Sequence, residues 1–122
     1  MKARFNKGSV MQEMPPEALA QVAAYFQVLA EPTRLRILNV LRTGEKNVGE
    51  LATICGYTAA NISRHLSLMS KHGLVAREGR GTSVYYRLTD ESVDALCDLV
   101  CGNIARKLER DAGTNASFRI GV

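Results

Sequence analysis

The sequence predicts a mainly α-helical fold with one small β-hairpin, in the order α-α-α-α-β-β-α. Three observations predict it. Apolar residues recur at helical spacing in five stretches. The period changes to that of strands between Leu74 and Leu88. A glycine-rich segment, Glu78-Gly79-Arg80-Gly81-Thr82, separates the two strands as a hairpin loop would.

The length of 122 residues suits one domain. At 46% apolar residues the chain can bury a small core, and a domain of this size gains from a shared interface. Residues 1–14 are expected to form a flexible basic arm carrying Lys2, Arg4 and Lys7, residues 15–111 the folded domain, and residues 112–122 a flexible tail.

The first helix is expected at 17–30, after Pro15-Pro16, with Leu19, Val22, Ala23, Phe26 and Leu29 on one face. Glu31-Pro32 interrupts it. A second helix is expected at 33–42, with Leu35, Ile37, Leu38 and Leu41 apolar, and Thr43-Gly44 ends it. A short third helix at 48–55 carries Val48, Leu51, Ala52 and Ile54, and Gly56 stands where a C-terminal glycine belongs. Thr58 is the expected N-cap of a fourth helix at 59–72, with Ile62, Leu66 and Met69 inward. Strands follow at 74–77 and 83–88. Thr89 is the expected cap of a last helix at 90–110, with Val93, Leu96, Val100, Ile104 and Leu108 as its stripe.

Several function classes are excluded on this reading. No run of 18 or more apolar residues is present, so no membrane span and no membrane partner are expected. Residues 1–14 lack the apolar core of a secretory signal. The three cysteines, Cys55, Cys97 and Cys101, fit no disulfide framework and suggest free thiols in a reducing cytoplasm. An enzyme is disfavoured: there is no glycine-rich phosphate loop, no metal-ligand cluster with an open position, and no nucleophile beside a base.

The charge points to a polyanion. The net charge is +4, and the stretch from Tyr57 to Arg87, with Arg64, Lys71, Arg77, Arg80 and Arg87 against Glu78, carries that whole excess. A solvated basic face is the plainer reading of a charge count alone. The third and fourth helices, however, are joined only by Gly56-Tyr57-Thr58, which is helix-turn-helix spacing. The small residues Ala59 and Ala60 at the start of the fourth helix, with Thr58 before them, would let its positive end approach a major groove closely. Its outward face offers Asn61, Ser63, Arg64, Ser67 and Lys71, and Arg64 can reach a guanine edge or a phosphate. His65 is a structural or phosphate contact on this reading. Arg77 and Arg80 extend the basic surface onto the hairpin, with Arg80 between two glycines at its tip. Duplex DNA is therefore the expected partner; an amphipathic surface helix, or an interaction module that binds no DNA, is the alternative.

Leu29-Ala30-Glu31-Pro32-Thr33-Arg34-Leu35-Arg36-Ile37-Leu38 resembles the opening signature of the ArsR/SmtB family of winged helix-turn-helix repressors. So do Gly49-Glu50-Leu51-Ala52, Ile62-Ser63-Arg64-His65-Leu66, His72-Gly73-Leu74-Val75 and Tyr85-Tyr86-Arg87-Leu88, in order along the chain. The resemblance implies a homodimer joined through its first and last helices. It also implies recognition helices that enter successive major grooves of a pseudo-palindromic operator. Ala59-Ala60 departs from it, since the family often has Gln-Ser there.

The resemblance further implies release from DNA when a metal or oxidant binds. The family's Cys-Val-Cys run in the third helix is replaced here by Ala52-Thr53-Ile54, and its zinc site on the last helix has no histidine, since His65 and His72 both lie on the fourth. What remains is Cys97 and Cys101. At i,i+4 on a helix their Cβ atoms lie about 5–6 Å apart, wider than the roughly 3.5–4.5 Å of a disulfide. A shared soft ion fits more easily, with As(III) or Sb(III) as the leading inducer and redox or sulfide signals behind it. Cys55 is a candidate third thiolate if the fold brings it near. No resident cofactor is required. The plain alternative is that these cysteines only pack.

Overall fold

The computed structural model describes residues 13–114. The expected arm and tail fall largely outside them, although the last helix runs on to Thr114.

Helix α1 spans Pro16–Leu29, with proline at its first position, where the missing N–H costs nothing. Helix α2 spans Pro32–Leu41; the Glu31 carboxylate caps it by accepting from the Arg34 backbone N–H at 2.9 Å. Strand β1, Lys46–Asn47, leads into α3, Val48–Cys55. A reciprocal capping box starts α3: Asn47 N–H donates to Glu50 and Glu50 N–H donates to Asn47 Oδ1, both at 2.8 Å. Gly56, at φ +77°, closes it in the left-handed conformation that favours glycine. Helix α4 spans Ala59–Lys71 and is capped by Thr58, whose hydroxyl accepts from Asn61 N–H at 3.1 Å.

Strands β2, Val75–Arg80, and β3, Ser83–Leu88, pair antiparallel, and β1 adds to the other edge of β3. Arg80 pairs with Ser83, so the turn is only Gly81-Thr82, and Gly81 takes φ +64° to make it. The expected five-residue loop is thus mostly strand. Beyond the hairpin, α5 spans Glu91–Leu96, a π-helical segment covers Cys97–Cys101, and α6 spans Gly102–Thr114. Asp90 rather than Thr89 caps α5, accepting from Ser92 N–H at 2.9 Å, while the Thr89 hydroxyl donates to Gly73 O. No helix among the described residues is long and apolar enough to cross a membrane.

The core explains why α4 faces outward as it does. Ile62, Leu66 and Met69 of α4 are fully buried together with Leu51 of α3, Ile37 and Leu38 of α2, and Leu74. That stripe fixes the rotation of α4, so its other face must meet solvent. Val93 joins this core at 1% exposure and cannot serve an outer stripe. Among the described residues, the most exposed of the large apolar side chains are Phe26 on α1 at 52%, Leu99 at 64%, Val100 at 50% and Ile104 at 54%.

Candidate nucleic-acid interface

The solvent face of α4 carries most of the residues singled out above. Ala59 and Ala60 are exposed in its first turn, and Arg64, Ser67 and Lys71 are exposed along it. Arg77 stands exposed on β2. Ser63, Ser67, Ser70, Lys71, Arg77 and Tyr86 line one groove between α4 and the hairpin. Hydroxyls flanked by two cations are suited to phosphate oxygens. Ser70 and Tyr86 were not anticipated. The i, i+4, i+7 spacing of Ser63, Ser67 and Ser70 was a signal for the first; Tyr86 needed the pairing of β2 with β3. Thr58 is spent as the cap, and the amide oxygen of Asn61 is buried without a hydrogen-bond partner.

Two of the expected DNA contacts are held by other groups. Arg80 is not a free cation at the tip: its guanidinium donates to both oxygens of Glu45 at 2.6 and 2.9 Å and to Glu78 at 3.0 Å, and it lies over the Tyr85 ring. Glu45 is drawn below the usual carboxylate range chiefly by that hydrogen bond. His65 is half-buried, and its Nδ1 faces Arg34 Nη1 at 3.2 Å. The same Arg34 donates through Nε to Val28 O at 2.6 Å, so one guanidinium joins the end of α1, the start of α2 and the middle of α4.

Burial first, then the cationic Arg34 and Arg64, lower the pKa of His65 against the opposing pull of Glu31. Arg34 can only donate, so Nδ1 is the acceptor in this contact, which favours the neutral ring. A histidine with a folded-state pKa below its unfolded value of about 6.5 contributes stability that is complete above that value. The contribution is lost as the pH falls from there through the folded-state value. Denaturant unfolding should therefore show stability declining from pH 7.5 toward pH 5.5. In His65→Asn, which keeps an acceptor but does not titrate, the decline should be visibly shallower; an identical decline would remove His65 as its source.

Two of the thiols, Cys97 and Cys101, lie in the π segment. Cys97 is buried and Cys101 exposed. Burial, and then the neighbouring Cys101, push the Cys97 thiol above its ordinary pKa, against the pull of Arg42. Arg42 caps the end of α2 and clamps this segment, with Nε to Asp94 at 2.5 Å and Nη2 to Asp98 at 2.7 Å. Cys55 is buried at the end of α3. Among the described residues no three His, Cys, Asp or Glu side chains gather as a metal-holding group within one chain.

Residues 31–77 match the sequence profile of the bacterial regulatory proteins of the arsR family. The HTH-type transcriptional regulator NmtR of Mycobacterium tuberculosis is 40% identical over 82 residues, covering 67% of this chain and 68% of that protein. The HTH-type transcriptional regulator CmtR of Mycobacterium bovis is 42% identical over 89 residues, covering 72% and 73%. Among solved structures, the homodimeric winged helix-turn-helix DNA-binding domain of a possible ArsR-family regulator from Mycobacterium bovis superposes with a TM-score of 0.67 at 32% identity, covering 85% of this chain and 90% of that domain.

Proposed function

Because the chain belongs to the arsR family of bacterial regulatory proteins, we propose that it is a sequence-specific transcriptional repressor, not an enzyme. On this reading it acts in the cytoplasm as a homodimer on a pseudo-palindromic operator. As(III) or Sb(III) at Cys97 and Cys101 releases it from DNA. The observation that carries the DNA reading is the outward face of α4, locked by Ile62, Leu66 and Met69, with its small first turn and with Arg64, Lys71 and Arg77 beside a hydroxyl-lined groove.

Each part of the fold then has a task. Ala59 and Ala60 let the N-terminus of α4 enter the major groove, where its dipole faces phosphate. Arg64 reaches a base edge, and Ser63, Ser67, Lys71 and Arg77 hold the backbone. The exposed Phe26, Leu99, Val100 and Ile104 meet a second copy. Inducer binding at Cys97 and Cys101 strains the π segment, and the Arg42 clamp carries that strain to the end of α2. A coupling of about 1–3 kcal/mol between inducer and DNA is typical of such a linkage.

The test is a titration of duplex DNA from the region upstream of the chain's own gene, at several salt concentrations, with and without As(III). Affinity should fall steeply with salt, with a slope of about −0.9 per phosphate contacted. As(III) should release the wild type and the Cys55→Ser variant, while Cys97→Ser and Cys101→Ser stay bound. Absence of salt-sensitive binding would overturn the DNA reading; release of the double Cys97/Cys101 serine variant would overturn the thiol site.

A further inference from the structure

A cavity of about 340 Å³ opens beside the two thiols, between the end of α1, the start of α2 and the π segment. Its lining is almost wholly apolar: Phe26, Leu29, Ala30 and Leu35 come from the α1–α2 region, and Leu96 and Val100 from the last helical stretch. Cys97 and Cys101 supply the only sulfur in it.

Trivalent arsenic makes three covalent bonds. The site supplies two thiols, and no third His, Cys, Asp or Glu ligand gathers there among the described residues. Bound inorganic arsenite would keep a hydroxyl on arsenic, facing a surface with almost nothing to hydrogen-bond it, which is costly. We propose that the third bond is to carbon: the site takes a monosubstituted trivalent arsenical, R–As(OH)2, with the organic group R in the cavity. This rests on the reading of Cys97 and Cys101 as the inducer site and narrows its ligand class.

The step balances without an oxidant. Two As–S bonds form and two As–O bonds break. Each thiol proton leaves with a hydroxide as water, and arsenic stays trivalent. Neutral thiols and a neutral arsenical give a neutral product, so no charge is buried. That suits the almost wholly apolar lining of the cavity. The π segment suits it as well, because its wider turn, with Gly102 N–H donating to Cys97 O, spans both cysteines and can adjust their spacing. The cavity lining includes the exposed Phe26 and Val100, which also belong to the proposed dimer face. An aryl group seated there alters that face directly, which is a route from ligand to DNA release.

The experiment compares phenylarsonous acid, methylarsonous acid and arsenite as releasing agents on the DNA-bound wild type. Mass spectrometry and thiol titration of the free protein accompany it. Phenyl and methyl arsenicals present the same arsenic to the same thiols and differ only in apolar size. The expected result is release by phenylarsonous acid at a concentration at least tenfold below methylarsonous acid, with one arsenic and two lost thiols per chain. In Ala30→Leu, which adds bulk to the cavity lining and leaves both thiols, that preference should shrink to about threefold or less while the methyl response holds. Equal potency of all three agents in the wild type, each abolished by Cys97→Ser, would overturn the organic-ligand proposal and leave the thiol site standing. Failure of all three to bind or release would overturn both.

Discussion

Ile104→Glu should yield a folded monomer that has lost at least a hundredfold in affinity for its operator. Ile104 is 54% exposed in the single chain and lies outside the buried core, so the chain can fold with a glutamate there. It lies four residues beyond Val100, itself 50% exposed, and Val100 lines one apolar cavity together with the exposed Phe26. If this face meets a second copy, the substitution places a carboxylate in an apolar contact, where an unpaired charge is strongly disfavoured. DNA affinity falls with it because the second recognition helix no longer binds as part of the same molecule. Linking two binding modules typically raises avidity by about 10²–10⁴. Sedimentation equilibrium should give one chain mass for the variant and two for the wild type, with unchanged helical circular dichroism. A variant that remains dimeric would place the interface elsewhere.

Leu66→Ala should be the most destabilising of the single substitutions considered, at about 2–5 kcal/mol. Leu66 is fully buried at the centre of α4, in the cluster formed with Leu51, Ile37 and Leu38. Truncation removes contacts from α2, α3 and α4 at once and leaves a cavity. Total stabilities of about 5–15 kcal/mol are usual for domains, so the loss is a large share. The neighbouring Ser67 is exposed, and Ser67→Ala should change stability by no more than about 0.5 kcal/mol. Urea denaturation of the pair measures both. Equal small effects would mean that α4 is not held by this stripe, and the argument for its outward face would fail with it.

The helix-turn-helix was legible because its signals are local. Gly56 and Thr58 sit within two residues of the boundaries they set, and α3 and the start of α4 fall where the sequence places them. What escaped is set by distant partners. Strand β1 has two residues, too few to show alternation, and exists because β3 pairs with it. Arg80 looked free because its partner Glu45 lies 35 residues away. Val93 fits both the inner and outer stripes of a long helix, and only packing decides between them. The cysteine pair was visible as an i,i+4 spacing, but the π turn around it and the cavity beside it depend on how α1 and α2 close over the last helix. His65 sits in a motif that suggested DNA, yet its partner Arg34 belongs to the other end of the same resemblance.

The most direct test of the central claim is a hydroxyl-radical footprint of the protein on the DNA upstream of its own gene. The account predicts two protected half-sites on one face of the duplex, with centres one helical turn, about 34 Å, apart. Arg64→Ala should lose this protection and Ser67→Ala should largely keep it, since Arg64 reads a base and Ser67 is one phosphate contact among several. A single protected patch, or the same pattern with Arg64→Ala as with the wild type, would contradict the assignment of α4 as the helix that reads DNA in a dimer.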